Sequence, residues 1–492
     1  MENPGSRFSK TALWIILSWN LFRLVLGPFM GLMPQDAYYF MYAENPDLSY
    51  FDHPPAVAYM IWISKSLLGK NVFAIRLADF VVTAVTQYGF FQLARRFLDT
   101  RQALLITVVF STTILVSILS IITTPDVPLM LFWTISLVCC HKAIFRENQL
   151  SWLLAGVSMG LAFDSKYTAV FLPLGLFIFL FLAKPYRKYF RTIWPYLTII
   201  AMLITVTPVI LWNIENDFAS FLFQANRSES ISKFSLHPEF LLGVLGHQAF
   251  LLLPLIFGIL IMEIFKILNR AWKRNWEYFS PNKIFLLAFF LPLWGGFLGI
   301  SIFYWVKINW QMPAYITGLL LIASAIQLKH VKWHLIASAV IHLILLVQVI
   351  FYPVLVKSDD TWIGWKELAA QIDQVRKEKC PDCFLFSSDN YKTSAQLRFH
   401  LNENVYAGNI IGQSALQFDF LGEDLNMLEG QSAFFIDSEN HFKDLERSEK
   451  QPDWSSSYFD YVEELDPIVV YRGQRPVRKY LIYFCLNYKG VP

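Results

Sequence analysis

Apolar runs close to the ~20 residues that an α-helix needs to cross a bilayer recur through the first 356 positions, with nearly all the charge confined to the short loops between them. We read eleven: 11–30, 72–94, 103–122, 127–141, 150–163, 167–183, 193–212, 241–265, 284–303, 312–328 and 335–356. So many apolar faces cannot be buried in one soluble core, and lipid demands that each span satisfy its own backbone, so the expected fold is a polytopic α-helical membrane protein. The first run carries Arg23 and meets no small-x-small cleavage site before Gln35, so it reads as a retained span and not a cleaved signal.

Charge divides the chain. Residues 1–356 hold 26 Lys and Arg against 16 Asp and Glu, whereas residues 357–492 hold 15 against 22. The expectation is a transmembrane domain over 1–356, with a large first outer loop at 31–71, and a soluble domain over 357–492 large enough for a small core of its own. Because cytoplasmic loops retain Lys and Arg, their distribution, eighteen on one side against six on the other, assigns sides. It puts the N-terminus in the cytoplasm and loops 31–71, 123–126, 164–166, 213–240 and 304–311, with the tail, outside; this requires an odd number of spans.

The tail alternates helical and extended patterns: helices over 365–379 and 391–401, strands over 383–387, 433–437, 467–471 and 477–485, hence α/β. It contains no GxGxxG or GxxxxGK[ST] phosphate loop. Cys380-Pro-Asp-Cys383 lacks a second ligand pair for zinc and precedes an apolar run, which leaves a local disulfide and free thiols as equal readings, with redox catalysis behind both.

The outer loops hold the polar residues. Met33-Pro-Gln-Asp-Ala-Tyr-Tyr39 and Ser49-Tyr-Phe-Asp-His-Pro-Pro55 lie about one surface helix apart, so Asp36 and Asp52 could meet in one pocket; the bland alternative is two hydrated loop carboxylates, Asp36 capping a helix from Ala37. Asp126, in Thr123-Thr-Pro-Asp-Val-Pro128, serves equally as a functional acid or a cap. In Asp164-Ser-Lys166 a lysine stands on a short outer turn against the charge trend, which invites an anionic ligand, snorkelling to headgroups being the rival. Lys307-Ile-Asn-Trp-Gln-Met-Pro313 places Asn309 and Trp310 at the same surface, where Trp belts are common.

In order, these segments resemble the GT-C superfamily of polyprenyl-phosphate-sugar glycosyltransferases, and more narrowly its bacterial family 39-type members, relatives of protein O-mannosyltransferases and lipid A aminoarabinose transferases. That family's first loop commonly reads Asp-Glu-Ala-Tyr-Tyr and then Tyr-Phe-Asp-His-Pro-Pro; here Gln35-Asp36-Ala37-Tyr38-Tyr39 and Tyr50-Phe51-Asp52-His53-Pro54-Pro55 stand there. Thr124 to Pro128, Ser165 to Ala169, Asn309 to Tyr315 and, in the tail, Ser394 to Leu401 match further elements, so the likeness runs from about residue 30 to 400. It departs at Gln35, which stands where the first Asp often does and leaves Asp36 as the carboxylate there.

The resemblance implies transfer of a sugar from a polyprenyl phosphate to a lipid A, polysaccharide or protein acceptor outside a bacterial inner membrane, with membrane lipids but no nucleic acid as partners. It implies Asp36 as the base taking the acceptor's proton, Asp126 orienting the acceptor or a metal, Lys166 and His53 on the donor phosphate, and Gln35, Tyr38, Tyr39, Asn309 and Trp310 lining the pocket. Asp52 acts with them, holding a divalent ion (Mg, Mn or Zn) if one is used. A transporter or flippase of lipid-linked saccharide would need similar polar groups but places them near mid-membrane, often in repeated halves; a catalytically dead binding protein draws support from Gln35 alone.

Overall fold

The computed structural model describes residues 4–229, 235–448 and 450–491, so part of the expected 213–240 loop lies outside the described residues. Among the described residues sixteen α-helices precede residue 352: α1 (Pro4–Phe29), α2 (Pro34–Glu44), α3 (Ala56–Leu68), α4 (Val72–Ala94), α5 (Thr100–Ser111), α6 (Ile114–Ile121), α7 (Asp126–Phe145), α8 (Gln149–Phe163), α9 (Phe171–Leu182), α10 (Trp194–Glu215), α11 (Ala219–Glu229), α12 (Pro238–Leu252), α13 (Pro254–Trp272), α14 (Pro281–Ile300), α15 (Ala314–Ile322) and α16 (Leu328–Phe351). Every one of the eleven apolar runs falls on helix. Among the described residues five helices are long and apolar enough to cross a bilayer, and eight spans result if each bent pair is one.

Two runs read as single rods are broken. The 103–122 run is α5 and α6, meeting at 60° where Thr113 Oγ1 caps α6 by accepting the Val116 N–H. The 241–265 run is α12 and α13, bent by 118°. Pro254 removes a backbone donor and disfavours helical geometry at the residue before it; Leu253 there takes φ +67°. A periodicity count registers only that both sides are apolar.

Contacts divide the chain into two compact units, one of Met1–Gly27, His53–Met60 and Arg76–Ile344, the other of Pro28–Asp52, Ile61–Ile75 and Leu345–Pro492. Residues 28–52 and 61–75 therefore group with the tail. In the first unit the closest helix seam joins α8 to α10. A Cβ on Gly156 would stand 2.2 Å from the Thr198 carbonyl oxygen, and one on Gly160 would stand 2.5 Å from Thr205 Cβ. This is the small-residue spacing that lets helices pack by backbone approach where lipid supplies no hydrophobic drive.

The second unit is built on a five-stranded sheet: β1 (Phe384–Phe386), β2 (Ala433–Glu439), β3 (Phe459–Glu464), β4 (Ile468–Arg472) and β5 (Arg475–Tyr488), in the order β1-β2-β5-β3 with β4 also on β5. β1 is parallel to β2 and the other pairings are antiparallel. Helices α17 (Trp365–Lys379) and α18 (Lys392–Leu401) fall where their periodicity places them. Trp365, Leu368, Leu385, Leu397, Phe434 and Ile482 form the core. α18 lies on α2, through Phe40 and Phe399 with ring centres 5.0 Å apart and Gln396 Nε2 donating to the Leu32 carbonyl at 2.9 Å. Cys380 and Cys383 are disulfide-bonded, which resolves the open pair of readings and ties the end of α17 to the start of β1.

Candidate active site

In the first unit the lysine of the Asp-Ser-Lys turn does not reach for headgroups. Lys166 is buried, and its Nζ donates to both oxygens of Asp126 at 2.8 and 3.0 Å. Asp126 opens α7 as a helical residue behind Pro125, so its carboxylate is free of capping work. Asn309 Nδ2 adds a third bond to Asp126 Oδ2 at 2.6 Å. Three separate turns, at 123–126, 164–166 and 304–311, therefore converge on one buried ion pair. Removing two charges from water is costly, and the geometry must offset that cost with well-aligned bonds; here two donor groups supply three. Trp310 packs against Phe297 with ring centres 5.2 Å apart, and His53 is half-buried just before Pro54 and Pro55.

Behind Asn309 a buried relay was not foreseen from the sequence: Tyr315 Oη donates to Gln248 Oε1 at 2.8 Å and accepts from Trp294 Nε1 at 3.2 Å. Gln248 sits in an apolar run, where a lone amide gives little warning. Asp164 was also passed over. It is 8% exposed, its Oδ1 has no hydrogen-bond partner, and its backbone carbonyl accepts the Ala56 N–H at 2.9 Å. Burial pushes its carboxyl up to about 7.

In the second unit α2 starts at Pro34, three residues before the expected Ala37, so Asp36 lies inside the first turn and its Oδ2 accepts the Met33 N–H at 2.7 Å. Gln35 Nε2 donates to Asp360 Oδ1 at 3.1 Å. Asp52 Oδ1 accepts from Tyr38 Oη at 2.9 Å and from Tyr42 Oη. Burial, and then the charge of Asp52, push both phenols well above their usual range, so each remains a proton donor at neutral pH. Gln417, which the sequence reading did not single out, completes the cluster: its N–H donates to Tyr38 Oη at 3.1 Å and its Oε1 accepts the Phe51 N–H at 2.8 Å. Tyr39 packs within the same aromatic group, edge-on to Tyr42.

Among the described residues no three His, Cys, Asp or Glu side chains converge as a metal site. The partners seen at Asp52 Oδ1 are phenol hydroxyls, a donor set suited to a hydrogen-bonded carboxylate and a poor match to the divalent-ion role assigned to it.

The fold matches that of a solved membrane protein. Over 97% of its length and 97% of the other's, the chain superposes on ArnT from Cupriavidus metallidurans bound to undecaprenyl phosphate, with TM-score 0.61 at 15% identity. Residues 52–212 match the family described as dolichyl-phosphate-mannose-protein mannosyltransferase. Among curated proteins, lipid A galacturonosyltransferase RgtD of Rhizobium johnstonii is 24% identical over 336 residues, 66% of each chain. The undecaprenyl phosphate-alpha-4-amino-4-deoxy-L-arabinose arabinosyl transferase of Pseudomonas aeruginosa is 32% identical over 125 residues, 24% of this chain and 23% of that one. The chain thus spans 66% and 23% of the lengths of these two relatives.

Proposed function

We propose that this chain is an integral-membrane glycosyltransferase that moves a sugar from a polyprenyl phosphate to a lipid, polysaccharide or protein acceptor at the periplasmic face of a bacterial inner membrane. The observation that carries the reading is the Lys166–Asp126–Asn309 cluster, a buried cation on an outer turn whose partner can be exchanged for a phosphate. In the reaction the bond between the anomeric carbon and the phosphate oxygen breaks, the acceptor oxygen bonds to that carbon, and the acceptor's proton passes to Asp36. Lys166, with His53, stabilises the charge that accumulates on the leaving phosphate, and Asp126 returns to Lys166 when the phosphate departs. In the first unit Asn309 and Trp310 contact the donor; in the second Gln35, Tyr38 and Tyr39 contact substrate, and Asp52 keeps Tyr38 oriented. A divalent ion enters this reading only through Asp52, and loss of transfer on chelation, restored by Mg, Mn or Zn, would install it there.

The Lys and Arg count supports a cytoplasmic N-terminus and an outer tail, and the Cys380–Cys383 bridge suits an oxidising compartment. A reporter fused at the C-terminus that works only in the cytoplasm should be silent.

The test of the activity is transfer from purified polyprenyl-phosphate sugar in nanodiscs. Asp36→Asn keeps an acceptor atom for the Met33 N–H but cannot take a proton at neutral pH, so transfer should fall ~10²- to 10⁴-fold with donor binding intact. If the loss appears instead in Asp52→Asn or Asp126→Asn, the base is that residue. The breaks at α5–α6 and α12–α13 favour one rival, a flippase of lipid-linked saccharide, since transporters build their sites from interrupted helices. Full transfer in all three variants would remove the base assignment, whereas no transfer by the unaltered chain, with saccharide flipping in liposomes, would replace the transferase by that reading.

A further inference from the structure

At the opposite ends of the helices, the end that the Lys and Arg distribution assigns to the cytoplasm, an aromatic stack gathers cations in the first unit. His141 of α7 is 5% exposed, stacks on Phe145 with ring centres 4.6 Å apart, and meets the edge of Phe97 at 4.9 Å and of Phe285 of α14 at 6.0 Å. Arg96 precedes Phe97 and Arg146 follows Phe145, so the stack draws the two arginines together. Burial, and then the nearby Arg146, hold the Arg96 guanidinium below its usual range. The adjacent acid, Glu147, is taken by Lys188 at 2.8 Å.

Basic loops at this end need no ligand, because topology alone accounts for them. Two buried atoms do call for one. Arg96 Nε and His141 Nδ1 are both buried and without a hydrogen-bond partner, a state that costs the desolvation of each group and is rare among native side chains. One acceptor group carrying negative charge and several oxygens would satisfy both.

We propose that Arg96, His141 and Arg146 form a phosphate-binding site for the headgroup of an anionic lipid in the adjoining leaflet. Phosphate oxygens accept from Arg96 Nε and the imidazole N–H, Arg146 adds charge at the exposed edge, and the phenyl rings of Phe97 and Phe145 face the lipid's glycerol and chains. The site is separate from the sugar-transfer residues and stands or falls without them.

The test uses the full chain in detergent, titrated with phosphatidylglycerol or phosphatidylcholine and read by native mass spectrometry, with thermal stability in inorganic phosphate as a second arm. Phosphatidylglycerol should bind in preference to phosphatidylcholine, and Arg96→Gln and Arg146→Gln should each weaken it about tenfold, while Arg95→Gln, on the same loop, changes it less than about twofold. Arg95 is the suitable control because its guanidinium lies over Phe91, 5.9 Å from the ring centre, on another surface. Equal losses in all three variants would reduce the site to a diffuse positive rim and overturn the proposal, as would no loss in any. Stabilisation by inorganic phosphate that Arg96→Gln abolishes, without a preference for phosphatidylglycerol, would overturn the lipid source and assign a soluble phosphate.

Discussion

Two of the cations buried in the helical unit, Lys166 and Arg23, are held differently. Lys166 at the outer turns is held by a carboxylate, Asp126, with Asn309 as the second donor to it. Arg23, within α1, has only neutral partners: its Nε donates to Ser117 Oγ at 3.0 Å, one terminal nitrogen to Asn20 Oδ1 at 3.3 Å and the other to the Ser111 carbonyl. That second cluster continues through Ser117 to His342 at 2.6 Å and from Ser338 to the Thr112 carbonyl, lacing α1 and α5–α6 to α16. Neutral acceptors fixed on three helices make a seam, since no incoming anion can displace them without opening the bundle. A carboxylate partner can be exchanged for a phosphate at little net change in charge. Under the proposed function, the kind of partner, more than the depth of burial, separates the phosphate-binding cation from a structural one.

That contrast can be broken by substitution. Lys166→Met should lower sugar transfer roughly 10²- to 10³-fold, the usual loss when one donor to developing negative charge is removed, with partial recovery in Lys166→Arg. Because the change strands Asp126, it should also cost about 3–5 kcal/mol of stability. Lys166→Met with Asp126→Asn should regain most of that stability and none of the transfer; if transfer returns, the pair is structural and resembles Arg23 after all. Arg23→Leu should give the reverse pattern. Its stability, read by thermal melting in nanodiscs, falls by about 1–3 kcal/mol from lost bonds, while transfer per folded molecule stays within about twofold.

A smaller effect separates Asp164 from both. Its folded carboxyl stands near 7 against an ordinary 3.8, so the folded state favours the neutral form. Stability from this group is full below 3.8 and declines as pH rises towards 7. Asp164→Asn should therefore melt with the wild type at acid pH and above it at pH 8; a variant less stable at pH 8 would mean that the carboxylate has a partner cation. The smallest expected change is reductive opening of Cys380–Cys383, which closes a very short loop and should cost the tail about 2 kcal/mol.

The architecture was largely legible because membrane helices and sheet strands announce themselves by period. All eleven runs became helix, and four of the five strands fell where alternation put them. β3 escaped because Phe459-Asp-Tyr-Val-Glu-Glu464 has the composition of a solvated loop and is held by its pairing with β5. The breaks at Thr112–Thr113 and Leu253–Pro254 escaped because both flanks are apolar. At the outer turns, motif order pointed to Asp126, Lys166 and Asn309 before their contact was visible. Gln248, Tyr315 and Gln417 were invisible for a physical reason: each acts by bonding to a residue far away in the chain, and one amide or phenol in an apolar stretch carries no local signature.

The glycine seam between α8 and α10 has a mechanical meaning as well. Gly160 lies about one turn before the loop at 164–166 that follows α8 and bears Lys166, so α8 acts as a lever with its fulcrum at the seam. A methyl group at Gly160, which would stand 2.5 Å from Thr205 Cβ, must tilt that rod or shift it, and the displacement is delivered at the tip. Reaction rates fall steeply with ångström-scale misplacement of a catalytic group. Under the proposed function, the positional tolerance of Lys166 is therefore set at a helix seam, by the absence of a single carbon atom.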